Sequence, residues 1–299
     1  MTNEAPIRIR KPERPPFERI AIVGFGLIGG SLAYAIRERW NSGLIIAVDR
    51  KEVLEAAMRA HAADVAGDDL VMAAEADLVV LAAPVLQNQE LIEQLADAIP
   101  GDALITDAGS TKKEIVRAAR ALPPRLRFVG GHPLAGAAAG GMLAARADLF
   151  AGRPWIFTPD EHTRPDDLGR LEQFVIALGA RPQRMSADAH DRLVAFLSHL
   201  PQLTASALMH VVGGELGADG LALAGRGLRD TTRLASSPAS IWRDILRTND
   251  TEIIAALDAL IDVLQRLRAD AAGGDHALEE IFESAAAWKR TLEEEVPPQ

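Results

Sequence analysis

From Arg19 onward, short apolar runs alternate with longer stretches in which apolar residues return every third or fourth position. The two periods predict a parallel sheet whose strands are joined by crossover helices. The runs are Ile20 to Val23, Leu44 to Val48, Leu78 to Ala82, Ala103 to Thr106 and Phe128 to Gly130, and helices are expected to start near Leu27, Glu52, Asn88 and Ser110. Five such units predict a doubly wound α/β sheet. Pro154 to Pro159 and Arg184 to Ser186 read as added edge strands around a helix from Arg164 to Leu178.

Beyond about Ser186 the strand signal stops, and the rest reads as helices rich in Ala, Leu, Arg and Glu. The expected organisation is a leader over 1–18, a sheet domain over 19–186 and an all-α domain over 187–299. The longest helix is expected from Thr251, as N-cap, to Ala272, ended by Gly273 and Gly274, with a last helix over His276 to Glu295. Neither suits a membrane span, and no repeat of solenoid period occurs. So much Ala and Leu in an all-helical half predicts burial against a second subunit, a homodimer.

Composition narrows the class. A chain of 299 residues with 48% hydrophobic and 25% charged side chains can fill two packed cores. Pro6, Pro12, Pro15 and Pro16 stand among charges with no continuous apolar stretch, so the leader is neither signal peptide nor membrane helix. The absence of cysteine excludes disulfides and thiolate metal sites and fits a cytoplasmic enzyme; no metal is expected. A net charge of −10, with Lys and Arg scattered, opposes nucleic-acid binding. A small anionic metabolite remains a candidate partner if a few cations gather in a cleft.

The segment Ile20 to Val23 runs into Gly24-Phe25-Gly26-Leu27-Ile28-Gly29, a G-x-G-x-x-G turn between a strand and a helix. In that context the turn is a Rossmann dinucleotide site, whose free N–H groups and helix dipole face phosphates. The next strand ends at Asp49, placed to accept from the adenosine ribose hydroxyls and to repel a 2′-phosphate. NAD is therefore favoured, with NADP left open by Arg50. Ala83 and Pro84, after the following strand, are expected beside the nicotinamide ribose.

Three motifs follow strand ends: Thr106-Asp107-Ala108-Gly109-Ser110-Thr111-Lys112, Gly130-Gly131-His132-Pro133-Leu134-Ala135-Gly136 and Ser198-His199-Leu200-Pro201-Gln202. With the glycine turn and the later Gly227-Leu228-Arg229-Asp230-Thr231-Thr232-Arg233, this ordered set resembles the prephenate/arogenate dehydrogenases of tyrosine synthesis, over about Arg19 to Trp242. The resemblance implies oxidative decarboxylation of a cyclohexadienol to a phenol with hydride transfer to a nicotinamide. It implies His132 as acceptor of the hydroxyl proton and Ser110 as the serine orienting that hydroxyl, although Ser110 also reads as a helix N-cap. Arg233 matches the residue that binds a substrate carboxylate; Arg226 and Arg229 add charge nearby, and Asp230 either orients this cluster or is another N-cap. His199 is expected either in contact with the cleft or as a helix-packing support, and Trp242 either at the neighbouring subunit's site or in a dimer core. His190 matches a family position with a structural role, while His61, His162, His210 and His276 are ordinary surface or packed residues.

Two departures matter. Gln202 stands where many relatives have histidine, leaving a neutral amide to donate to the substrate side chain. Ala138 stands where a glutamate often does, so prephenate and arogenate are not told apart. Neither a regulatory domain after the helices nor a chorismate mutase domain before the sheet is expected. A β-hydroxyacid dehydrogenase is the competing enzyme reading, but the lysine that such enzymes use on the first long helix of the helical domain is excluded here, because no lysine lies between Lys113 and Lys289. A nucleotide-sensing protein without turnover remains the non-enzyme alternative.

Overall fold

The computed structural model of the chain describes residues 15–40, 42–136, 140–273 and 277–295. Eight strands form one sheet: β1 (Arg19–Val23), β2 (Leu44–Val48), β3 (Val65–Gly67), β4 (Leu78–Leu81), β5 (Ala103–Asp107), β6 (Leu126–Pro133), β7 (Pro154–Thr158) and β8 (Arg181–Arg184). Their order is β3-β2-β1-β4-β5-β6-β7-β8, and every pairing is parallel except β6 with β7. Strand order reverses direction at β1, and there the glycine-rich turn emerges.

Period-two alternation assigns each strand's side chains to two cores. Ile20, Ile22, Leu78, Val80 and Leu104 face one layer, with α1 (Leu27–Arg39), α2 (Lys51–Arg59) and α5 (Pro165–Ala177) packed on it. Ala21, Val23, Val79, Leu81 and Ile105 face the other, under α3 (Val85–Ala98) and α4 (Lys113–Ala119). Both sheet faces are covered, and this is why the strands read as near-continuous apolar runs.

Beyond the sheet come α6 (Ala187–Val194), a π-helical turn (Ala195–His199), α7 (Leu200–Leu221), α8 (Arg226–Thr231) and α9 (Ala239–Thr248). Contacts divide the chain into compact units Met1–Asp250 and Thr251–Gln299. In the second unit α11 (Ala277–Glu295) folds back on α10 (Asp250–Ala271), through Arg266 to Glu280 at 2.7 Å and Leu278 N–H to Asp270 at 2.7 Å. No helix of the described residues is long and apolar enough to cross a membrane.

Several expectations are corrected. The leader ends before residue 18: Phe17 is buried, its ring edge-on to Phe174 and under the Arg170 guanidinium, while Arg170 donates to the Pro16 carbonyl. Residues 1–14 lie outside the described residues. The last strand is Arg181–Arg184, not Arg184 to Ser186, and Ser186 instead caps α6 by accepting from Ala189 N–H at 3.2 Å. The long helix begins at Asp250, one residue before the expected N-cap Thr251. His61, His162 and His210 are exposed; His276, Gly274 and Ala138 lie outside the described residues.

Candidate active site

The turn after β1 is shaped for a phosphate-bearing ligand. Gly24 has φ +92°, and a Cβ there would stand 2.4 Å from the Ala83 nitrogen, so only glycine lets the turn pass the end of β4. A Cβ on Gly29 would meet the Gly24 carbonyl at 2.1 Å, which accounts for the close seating of α1. On Gly26, by contrast, a Cβ would meet nothing within 4 Å: this glycine faces open space, where a Cβ would intrude on a ligand approaching the main chain. Asp49, just past β2, accepts from Phe25 N–H at 2.5 Å and from Arg50 N–H at 2.6 Å, which ties the carboxylate to the turn. The Arg50 side chain is 84% exposed. Asn88, buried on α3, holds the Ala83-Pro84 corner by accepting from Ala83 N–H and donating to the Leu81 carbonyl. These residues fit a dinucleotide.

Strands β1, β4, β5 and β6 are parallel neighbours, so their C-terminal ends share one edge of the sheet. At about 4.8 Å per strand, β6 lies roughly 14 Å along that edge from the glycine turn. His132 stands at this end of β6. The approach is close: a Cβ on Gly131 would lie 2.6 Å from the Asp107 carbonyl oxygen, so the Gly-Gly pair lets β6 close against β5. Asp107 clamps the junction, accepting from Gly131 N–H at 3.0 Å, from Gly109 N–H at 2.8 Å and from the fully buried Lys112 ammonium.

Around His132 the helical segments gather more polar groups. His132 Nδ1 lies 2.8 Å from Nε2 of buried His190 on α6, and His190 Nδ1 lies 2.8 Å from Asp191 Oδ1. Asp191 also accepts from Lys112 N–H at 2.7 Å and Lys113 N–H at 2.9 Å. Asn249, after α9, donates to the Asp191 carbonyl at 2.8 Å and to His199 Nδ1 at 3.3 Å, leaving a neutral His199 with its proton on Nε2. Thr111 and Thr248 hydroxyls meet at 2.8 Å, joining the β5 loop to α9.

Burial, together with His190, Lys112 and His199 nearby, pushes the His132 imidazole well below its ordinary range, so it is neutral at pH 7. Burial lowers His199 to about 4. It also lowers Lys112, against the opposing pull of Asp107.

The structure thus brings His132, His199 and the loop of Ser110 into one region, and Trp242 joins them, its ring edge-on to His199 of its own chain at 5.9 Å. Ser110 is half-buried in the loop, three residues before α4, and is not the helix cap: Asp191 takes the amides a cap would serve. Gln202 has both amide hydrogens engaged within the chain, donating to the Leu234 carbonyl at 2.8 Å and Ser206 Oγ at 3.2 Å, while its oxygen accepts from Ser237 at 3.1 Å. The expected donation to a substrate is therefore replaced by a bond to the one-turn helix Arg233–Ser236 that carries Arg233. Arg226, Arg229, Asp230 and Arg233 are exposed. Gly225, not Asp230, is the N-cap of α8, and Asp230 makes no ion pair with the three arginines among the described residues. Asp107, Lys112, Asp191 and Asn249 are the site residues that the sequence left without a role.

A carboxylate-backed glycine turn and an imidazole on one sheet edge suit a nicotinamide-dependent oxidation, and fold and site together define a dehydrogenase of the dinucleotide-binding class. Residues 32–183 match the family model for the nucleotide-binding domain of prephenate dehydrogenase, and residues 186–284 match that for its dimerization domain. The prephenate dehydrogenase of Bacillus subtilis is 36% identical over 257 residues, covering 84% of this chain and 69% of the relative. The cyclohexadienyl dehydrogenase of Zymomonas mobilis is 34% identical, covering 91% and 95%. Among solved structures, prephenate dehydrogenase from A. aeolicus in complex with hydroxyphenyl propionate and NAD+ superimposes with a TM-score of 0.85 at 28% identity, covering 92% of this chain and 98% of the other. The chain belongs to the prephenate dehydrogenase family.

Proposed function

We propose that the chain converts prephenate to 4-hydroxyphenylpyruvate, arogenate to tyrosine, or both, by NAD-dependent oxidative decarboxylation in tyrosine biosynthesis. The observation that carries this reading is the hydrogen-bonded imidazole of His132 on the sheet edge that also bears the glycine turn.

When bound, oxidised nicotinamide supplies the hydride acceptor. As hydride leaves the ring carbon bearing the hydroxyl, positive charge grows there unless the O–H proton is withdrawn. His132 withdraws it, a contribution of about 10² to 10⁴ in rate for general-base assistance. The ring carboxylate departs as CO2, its bonding electrons complete the aromatic ring, and the proton held on His132 returns to the ring oxygen. Ser110 orients the hydroxyl from the β5 loop, and Arg233 binds a substrate carboxylate through its guanidinium fork. Gln202 serves by holding the turn on which Arg233 rides. Asp49 selects NAD over NADP by facing the adenosine ribose with a carboxylate.

The working form is proposed to be a cytoplasmic homodimer. Supporting this are the match to a dimerization domain and large apolar side chains facing outward in each unit: Leu197 and Leu223 at 66% and 89% exposure in the first, Phe282 and Trp288 at 64% and 71% in the second.

The test mixes purified protein with NAD or NADP and, separately, prephenate and arogenate, and follows the near-ultraviolet absorbance of reduced nicotinamide. NAD reduction with at least one of the two substrates is expected. Binding of NAD without reduction in either mixture would favour the nucleotide-sensing alternative.

A further inference from the structure

We propose that Asp191 and His190 set the tautomer of His132: the three form a hydrogen-bonded chain, fixed in direction from its buried end, that places the His132 proton on Nδ1 and leaves Nε2 bare for the substrate hydroxyl. The proposal rests on the reading of His132 as proton acceptor and assigns His190 and Asp191 as positioning residues.

The direction follows from donors that cannot change role. Main-chain N–H groups of Lys112 and Lys113 donate to Oδ1 and Oδ2 of Asp191 respectively. A carboxylate so placed is an acceptor, and the remaining neighbour of Oδ1, His190 Nδ1 at 2.8 Å, supplies a hydrogen. A neutral imidazole with hydrogen on Nδ1 has its lone pair on Nε2. That atom lies 2.8 Å from His132 Nδ1, so His132 donates there and its own Nε2 carries the lone pair.

The opposite direction would need a doubly protonated His190. Burial opposes that charge, as does the Lys112 ammonium, and the net effect holds His190 below its ordinary range despite the bond to Asp191. The charged and titratable groups around this chain are Lys112 and Asp107 from the β5 end, Asp191 from α6 and His199 from the π-turn. None of them offers His132 Nδ1 a shorter alternative. When His132 takes the substrate proton, the Nδ1–H bond to His190 persists, and the polarised chain shares the new positive charge with Asp191. A histidine held in its working tautomer by a buried carboxylate is established chemistry in hydrolases, where the wrong tautomer costs about 10⁴ in rate; here a second imidazole stands between the two.

The experiment is nitrogen NMR of the full-length enzyme labelled with ¹⁵N-histidine, with His132 signals assigned from their loss in His132→Asn. In the wild type, Nδ1 is expected to be proton-bearing and Nε2 bare; the reverse overturns the proposal whether or not the His190 variants fold. His190→Leu is expected to shift His132 toward the Nε2–H tautomer and to lower kcat on the order of 10- to 100-fold, with KM within about twofold. His190→Gln offers an oxygen to His132 and an amide to Asp191, and should restore kcat to within about threefold of wild type along with the Nδ1–H signal. A glutamine variant no better than leucine, or a leucine variant with wild-type kcat and tautomer, overturns the chain. Unchanged turnover in His132→Asn would instead remove the underlying acceptor role, a failure the wild-type spectrum does not mimic.

Discussion

Lys112→Met isolates the clamp that joins the loop after β5 to the end of β6. Lys112 and Asp107 side chains are both at 0% exposure, and Asp107 also receives the Gly109 and Gly131 amides. Removing the ammonium leaves a carboxylate buried among two N–H donors. Breaking a buried pair in this way costs about 3–5 kcal/mol, because the stranded charge keeps its desolvation penalty. At about 2–4 °C per kcal/mol for a unit of this size, Tm should fall by roughly 6–20 °C. Urea unfolding at fixed protein concentration should show a lower midpoint with an unchanged slope, since the surface exposed on unfolding is nearly the same. Adding Asp107→Asn to Lys112→Met should recover about 1 kcal/mol or more of coupling, because the stranded charge is gone. A loss below about 1 kcal/mol in the single variant would refute the reasoning and mean that water reaches the pair.

Gly131→Ala should destabilise by about 1–3 kcal/mol and lower kcat, since the added methyl meets the Asp107 carbonyl at 2.6 Å and main chain yields little; wild-type melting and turnover would contradict the close-approach argument. The buried histidines fix the sign of the acid response. His132, His190 and His199 titrate lower in the folded chain than the ordinary 6.5, so below pH 6.5 the unfolded state binds more protons and stability falls with pH, a fall that for His199 continues to about 4. Denaturation midpoints measured across that range should fall toward acid; a flat profile would show the imidazoles to be solvated. Arg233→Ala should raise KM for substrate about tenfold or more with a smaller effect on kcat, and an unchanged KM would remove its carboxylate role.

The apolar alternation showed the sheet because most strands are buried on both faces. It missed β3, three residues long, and misplaced β8, whose Arg-Pro-Gln-Arg residues bury little and so leave no hydrophobic trace. The glycine turn, Asp49 and His132 were legible because each belongs to a local strand-end motif. The contact of His190 with His132 and the role of Asp191 were not, since that contact spans 58 residues and depends on how α6 lies over β6. Asn249 gave no signal at all: an asparagine after a helix reads as a stop, and only the fold brings its amide to Asp191 and His199. Gln202 misled for a related reason, because a motif position cannot show whether an amide faces a ligand or the chain's own carbonyls.

The acceptor role of His132 is tested most directly by comparing wild type and His132→Asn for NAD affinity by calorimetry and for turnover of whichever substrate the wild type uses. The expected result is an unchanged NAD affinity with turnover lowered by about 10² or more. An asparagine variant that turns over at near the wild-type rate would contradict it.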